Sequence, residues 1–190
     1  MPHDTRALNS DRRDIAELDE IWLFGYGSLI YKVDFPFLDS ATAYLDGWQR
    51  RFWQGSHDHR GTPESPGRVL TLIEAPGESC FGKAYRVTLD EFDHLDHREK
   101  NGYVRQLAPL RLADGRQRMG VFYVGLTDSP AHLGEASDEA IAAQIYRSVG
   151  PSGSNRDYLH QLTAALKAHG EFDDHVMTLD QLVRQLAADD

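Results

Sequence analysis

Phe92, Leu95 and Glu99 follow one another at spacings of three and four, the interval that brings side chains onto one face of a helix. An apolar stripe over residues 89–100 is therefore expected to end in a carboxylate. A carboxylate held toward an apolar side loses hydration, which raises the pH at which it ionises and fits it to shuttle a proton; a value of about 6 to 7 is useful for that task. Spacing alone leaves a plainer outcome open, in which Glu99 pairs with Lys100, His97 or an arginine, or reaches water from the last turn. The second candidate is the run Gly25-Tyr26-Gly27-Ser28-Leu29-Ile30, which follows a short apolar stretch. Two glycines around one side chain let successive backbone N–H groups converge on an anion without Cβ obstruction. The run is expected to form either a carboxylate-sized nest or an ordinary turn at a strand end.

Other chemistries fit the residues less well. Ile30 stands where G-x-G-x-x-G requires its third glycine, so a dinucleotide-binding loop is excluded. Tyr26 and Ile30 flank Ser28 where G-x-S-x-G requires glycines, so Ser28 is a poor nucleophile candidate. Cys80 lies in or beside an expected strand with no histidine near it in sequence, which favours a buried thiol over a catalytic thiolate. His57-Asp58-His59 has no third ligand at helical or turn spacing, and no metal site is expected there. The stretch over residues 60–68 holds two prolines and two glycines and reads as a loop. Its arginines suit either a substrate carboxylate or surface ion pairs.

The elements that must position these groups follow from periodicity and turn signals. Ile21-Trp22-Leu23-Phe24 reads as a buried strand emptying into Gly25. Further strands are expected over residues 47–54, 69–73, 81–87, 104–112 and 118–124. Thr88-Leu89-Asp90-Glu91 has the form of a capping box that opens the helix carrying Glu99, and Asn101-Gly102 closes it. Three amphipathic helices end the chain. One carries Ile141, Ile145 and Val149, one carries Tyr158, Leu159, Leu162 and Leu166, and the last is capped at Thr178. Strands first, helices later and one helix among the strands predict an α+β fold, a small barrel-like mixed sheet flanked by helices. Residues 1–20 are expected as an exposed polar tail and residues 21–190 as a single domain.

Composition narrows the partners. The formal net charge of −10 argues against binding nucleic acid, which draws affinity from clustered Lys and Arg. The acidity is uneven, with eleven Asp or Glu against four Lys or Arg over residues 128–190 and five of each over residues 22–70. A small anionic substrate is better received in the first half. A single cysteine excludes an internal disulfide and suits a reducing compartment. With no apolar run near the ~18 residues a membrane span needs and no leader-like segment in the first twenty, a cytoplasmic protein is expected.

Several segments in order resemble the ChaC family of glutathione-specific γ-glutamylcyclotransferases. They are Phe24-Gly25-Tyr26-Gly27-Ser28-Leu29-Ile30, Arg50-Arg51-Phe52-Trp53-Gln54-Gly55-Ser56, Asp58-His59-Arg60-Gly61 with Pro66-Gly67-Arg68-Val69, Arg98-Glu99-Lys100 with Gly102-Tyr103, and Gly150-Pro151-Ser152-Gly153 with Asn155 and Tyr158-Leu159. Two departures are visible: Tyr31 where the family often has Trp, and Asn101 where it often has Gly. The resemblance implies a small barrel-like α+β fold, no cofactor, and cleavage of glutathione to 5-oxoproline and cysteinylglycine. It also implies that Gly25 to Ile30 and Tyr158 bind the substrate and that Glu99 is the acid/base. Two alternatives remain: a cyclotransferase for other γ-glutamyl amino acids or amines, and a non-catalytic regulator of cation transport. The oligomeric state is not legible in the sequence.

Overall fold

Strand β1 (Ile21–Gly25) is buried at every position, because it lies between neighbours on both edges and both its faces are covered. It pairs antiparallel with β3 (Gly67–Val87), Leu23 opposite Tyr85, and parallel with β5 (Gln117–Gly125), Leu23 opposite Val121. Adding β2 (Asp39–Ser56) and β4 (Tyr103–Leu112) closes a five-stranded mixed barrel in the order β1-β3-β2-β4-β5. Closure leaves no long unpaired edge. The α+β barrel expectation is borne out. The computed structural model describes residues 3–189. They divide into two compact units, the first formed by the residues up to Arg50 with Leu72–Pro130, the second by Arg51–Thr71 and the residues from Ala131 onward.

In the first unit the core gathers Leu23, Leu29, Tyr85, Phe92, Leu95, Val121 and Tyr123 with Ile15 and Ile21. Each fully buried aliphatic or Phe side chain contributes about 1.5–3 kcal/mol. Residues 3–20 are not a loose polar tail. Helix α1 (Arg13–Ala16) buries Ile15 completely, Asn9 donates to the Tyr103 carbonyl and accepts from the Arg105 N–H, and Arg12 bonds the buried carboxylate of Asp96. Short polar side chains can dock a segment through backbone bonds that a hydropathy pattern does not register.

Two expected strands, over 69–73 and 81–87, are one continuous strand, because Gly77 at φ +90° lets β3 pass its exposed middle without leaving the sheet. The expected helix over 89–100 is a 3₁₀ turn (Leu89–Glu91) followed by α2 (Phe92–Arg98). The Thr88 side chain caps nothing: the Glu91 N–H that a capping box would use already donates to the Thr88 carbonyl at 3.2 Å.

The second unit holds helices α3 (Asp138–Arg147), α4 (Asn155–Ala168) and α5 (Asp174–Asp189). Their buried stripes are Ile141 and Ile145, then Leu159, Leu162 and Leu166, then Val176, Leu179 and Val183. Val149 does not extend the first stripe. The backbone turns extended at Ser148, and Val149 is 58% exposed in the first strand of a small hairpin, β6 (Val149–Gly150) and β7 (Gly153–Ser154). Thr178 lies inside α5 rather than at its start. Asp173 is the cap, its carboxylate accepting the Val176 N–H and its carbonyl the Met177 N–H. No helix among the described residues is long and apolar enough to cross a membrane.

Candidate active site

At the end of β1 the chain turns sharply and enters a 3₁₀ turn over Ser28–Ile30. A Cβ on Gly25 would sit 2.3 Å from Leu29 Cβ, so this turn closes only over a glycine. Gly82 on β3 does the same from behind, where a Cβ would lie 2.4 Å from the Gly25 carbonyl oxygen. The turn bonds itself through the N–H groups of Ile30, Tyr31 and Lys32, which donate to the carbonyls of Gly27 and Ser28. The N–H groups of Ser28 and Leu29 come first in the helical turn, where no intrahelical acceptor is available to them. The run is therefore a turn at a strand end whose first N–H groups are not used within it.

Three anchors hold the turn to the barrel. The Tyr26 hydroxyl donates to the Tyr123 carbonyl at 2.6 Å, and the Tyr85 hydroxyl donates to the Leu29 carbonyl at 2.6 Å. Arg50, almost fully buried, donates to the carbonyls of Tyr26 and Phe81. Burial pushes the Tyr85 phenol up to about 12, so it remains a donor throughout the physiological range.

Glu99 lies at the C-terminal cap of α2, its N–H bonded to the Leu95 carbonyl at 2.9 Å. Phe92 and Leu95 are buried as the spacing requires, but the stripe does not carry Glu99 fully inside. Its side chain is 23% exposed, and the Arg98 Nε lies 3.1 Å from its Oε1. Of the outcomes weighed for Glu99, the pairing with an arginine is the one observed, on a side chain that is half-buried. The same Arg98 donates from Nη2 to Ser28 Oγ at 3.0 Å and from Nη1 to Asp34 Oδ1.

Beneath these groups Asp96 is a buried carboxylate on α2, bonded by the Tyr123 hydroxyl at 2.6 Å and by Arg12 Nη2 at 2.7 Å. Burial first, then the bond and charge of Asp96 and the charge of Glu99, hold the Tyr123 phenol far above its ordinary range. Arg98 and Arg50 lie in segments that resemble the family, but the sequence does not show the contacts that they or Tyr123 make here. Arg98 stands beside Glu99 in the chain, where it reads as a simple neutralising neighbour, and the other two come from strands distant in sequence.

Tyr158 belongs to the second unit. There its ring meets Phe52 edge-on at 6.0 Å between centroids, with the Arg60 guanidinium 5.8 Å from its centroid. In the same unit Asn155 exchanges bonds with the backbone of Arg68, whose buried guanidinium donates to Gln144 and to the carbonyls of Phe52 and Gly134. Arg68, expected at the end of a loop, is the second residue of β3 and is taken up by packing. Cys80 is buried, as expected of a structural thiol.

Comparison with known proteins agrees with this architecture. The family model described as ChaC-like protein matches residues 21–186. The chain belongs to the ChaC-like family. The matched ChaC-like span includes Gly25 to Ile30, Glu99 and Tyr158, and excludes the docked segment with Asn9 and Arg12. Among curated relatives, γ-glutamylcyclotransferase 2-3 of Arabidopsis thaliana is 40% identical, covering 89% of this chain and 91% of that protein. The glutathione-specific γ-glutamylcyclotransferase 1 of Homo sapiens is 36% identical, over 83% of this chain and 75% of its own. The solved structure of a yeast γ-glutamyl cyclotransferase specific to glutathione superposes with a TM-score of 0.80 at 30% identity, covering 87% of this chain and 96% of that one.

Proposed function

We propose that this ChaC-like protein splits glutathione into 5-oxoproline and cysteinylglycine, with Glu99 moving the protons and the turn from Gly25 to Ile30 holding the γ-glutamyl group. The observation that carries the reading is Arg98, whose one guanidinium is bonded to Ser28 of the turn and to Glu99. A carboxylate and a glycine-rich turn are thereby joined through one side chain. The names of the relatives support the substrate: several are glutathione-specific γ-glutamylcyclotransferases that align over most of their length.

The chemistry asks little more of the protein. The ionised Glu99 takes a proton from the substrate's α-ammonium, and the freed amine attacks its own γ-carbonyl carbon, closing a five-membered ring. Glu99 gives this first proton to the cysteine nitrogen, takes the second proton that the ring nitrogen carries after attack, and passes it on as the bond to the cysteine nitrogen breaks, so that the amine leaves as an ammonium. Carbon–nitrogen bonds made and broken balance, and the carboxylate ends as it began. Because attack is intramolecular, holding the folded conformer is the main requirement. The leading N–H groups of the turn suit the α-carboxylate. Tyr158 is retained as a substrate-binding residue on the family resemblance.

Incubating the purified protein with glutathione and with γ-glutamyl-alanine, and measuring 5-oxoproline, tests the reading. Product from glutathione with a much higher kcat/KM is expected; no product from either substrate would sink it. The relatives named γ-glutamylcyclotransferase 2-3 and 2-1 carry no glutathione-specific label, which gives a broader γ-glutamyl specificity its own support. Equal kcat/KM on the two substrates would favour that second reading. We place the reaction in the cytoplasm, with glutathione as the partner and neither nucleic acid nor membrane involved, on the net charge of −10 and the single cysteine.

A further inference from the structure

We infer that Arg98 is a positioning residue for this reaction, fixing the Glu99 carboxylate and the Ser28 turn in one arrangement; the inference rests on the reading of Glu99 as the acid/base. The guanidinium sends each of its nitrogens to a different partner: Nε to Glu99 Oε1 at 3.1 Å, Nη2 to Ser28 Oγ at 3.0 Å and Nη1 to Asp34. Adjacent residues inside a helix point about 100° apart and do not face each other. Glu99 has left helical geometry, with φ −94° and ψ 18°, and this turns its carboxylate back toward Arg98.

An isolated surface pair of this kind contributes little and positions nothing. Two features separate Arg98 from that case. Its side chain is only 21% exposed, and one of its three partners is an uncharged hydroxyl on the glycine-rich turn. A guanidinium is a rigid planar fork, so a bond at one nitrogen fixes the direction of the others. Lysine, a point charge on a flexible stem, cannot span all three partners at once.

Several charged groups surround Glu99 and Arg98. Lys100 follows it and His97 lies two residues before it. Asp96 on the same helix is buried and neutralised by Arg12, with Arg105 of β4 at 3.4 Å and Tyr123 of β5 donating to it. On the far side of Arg98, Asp34 also meets His94 at 4.0 Å. Arg98 is in direct contact with the Glu99 carboxylate. Removing this cation should make that carboxylate harder to ionise.

The test compares Arg98→Ala, Arg98→Lys, Ser28→Ala and Glu99→Gln through the pH dependence of kcat/KM on glutathione, whose acid limb reports the base of the free enzyme. Arg98→Ala should lose about 100-fold in kcat, the scale of a small misplacement of reacting groups, and its acid limb should move to higher pH. Arg98→Lys should keep the limb near its original position while losing about 10-fold in kcat. Ser28→Ala should lower kcat several-fold with the limb in place. Should Arg98→Ala fail to fold, the split between limb and kcat in the lysine and Ser28 variants decides. An acid limb and kcat in Arg98→Ala indistinguishable from the parent, with Glu99→Gln inactive, overturns the inference alone. Equal losses in Arg98→Ala and Arg98→Lys with no movement of the limb make Arg98 a packing residue and overturn it as well. Full activity in Glu99→Gln overturns both the inference and the reading beneath it.

Discussion

Arg98 and Ser28 stand 70 positions apart in the chain and meet at 3.0 Å, with Glu99 on the same guanidinium. The meeting requires β1 to end at Gly25 and α2 to end at Arg98, so both candidate groups lie just beyond the last residue of a regular element. That placement lets each be shaped locally without disturbing the core formed by Phe92 and Leu95.

The first prediction follows from Glu99. Glu99→Gln preserves volume and a hydrogen-bond acceptor but removes the proton acceptor, so turnover of glutathione should fall at least about 1,000-fold. The thermal unfolding midpoint should change little, since the side chain is not part of the apolar core. Near-normal turnover in the folded variant would end the assignment of Glu99 as acid/base.

Gly25 supports a second. A methyl group there would sit 2.3 Å from Leu29 Cβ, a contact that no rotamer relieves because both atoms are fixed to backbone. Gly25→Ala should therefore force the turn open and raise KM for glutathione by about tenfold or more, the effect of about 1.4 kcal/mol. Titration of substrate binding on a double variant, Gly25→Ala combined with Glu99→Gln, isolates the effect from chemistry. Affinity equal to that of Glu99→Gln alone would show that the turn does not hold the substrate.

The barrel and the three closing helices were legible in the sequence because alternating and 3.6-residue patterns report burial directly. The Gly25 turn was legible as well, since glycine at a strand end has few other uses. What escaped was everything specified by polar contact across long separations. The sequence shows Thr88 and Glu91 as a capping box, yet backbone bonding in the 3₁₀ entry takes the donor first. It shows residues 3–20 as polar, yet Asn9 and Arg12 find partners more than eighty positions away. Glu99 shows the limit best. Its spacing from Leu95 was right, but its immediate surroundings are set by Arg98, whose direction depends on where the helix stops.

A third prediction concerns Tyr26. Its hydroxyl donates to the Tyr123 carbonyl at 2.6 Å, one of three anchors of the turn. Tyr26→Phe removes that donor and leaves a buried carbonyl short of a partner, at a cost of about 1–3 kcal/mol. Stability in urea should fall by that amount, and KM should rise more than kcat falls, because the donors of the turn are loosened while Glu99 is not. A lower kcat at unchanged KM would instead mark the hydroxyl as part of the chemistry.

The last prediction uses His175, in the second unit. Its ring Nε2 accepts the Phe52 N–H at 3.0 Å, and its side chain is almost fully covered. Burial first, then the charges of Arg51 and Arg68, bring its pKa down to about 4, against the opposing pull of Asp173 and Asp138. The folded chain thus keeps this imidazole neutral at a pH where the unfolded chain protonates it. Stability linked to His175 is fully present above the unfolded value of about 6.5 and is lost as pH falls from there toward about 4, to a limit of order 3 kcal/mol. His175→Gln keeps an acceptor for the Phe52 N–H and cannot titrate. Urea midpoints of parent and variant should therefore differ most at about pH 7.5 and converge at about pH 4.5. A difference that stays constant across this range would mean that His175 is not held neutral by the fold.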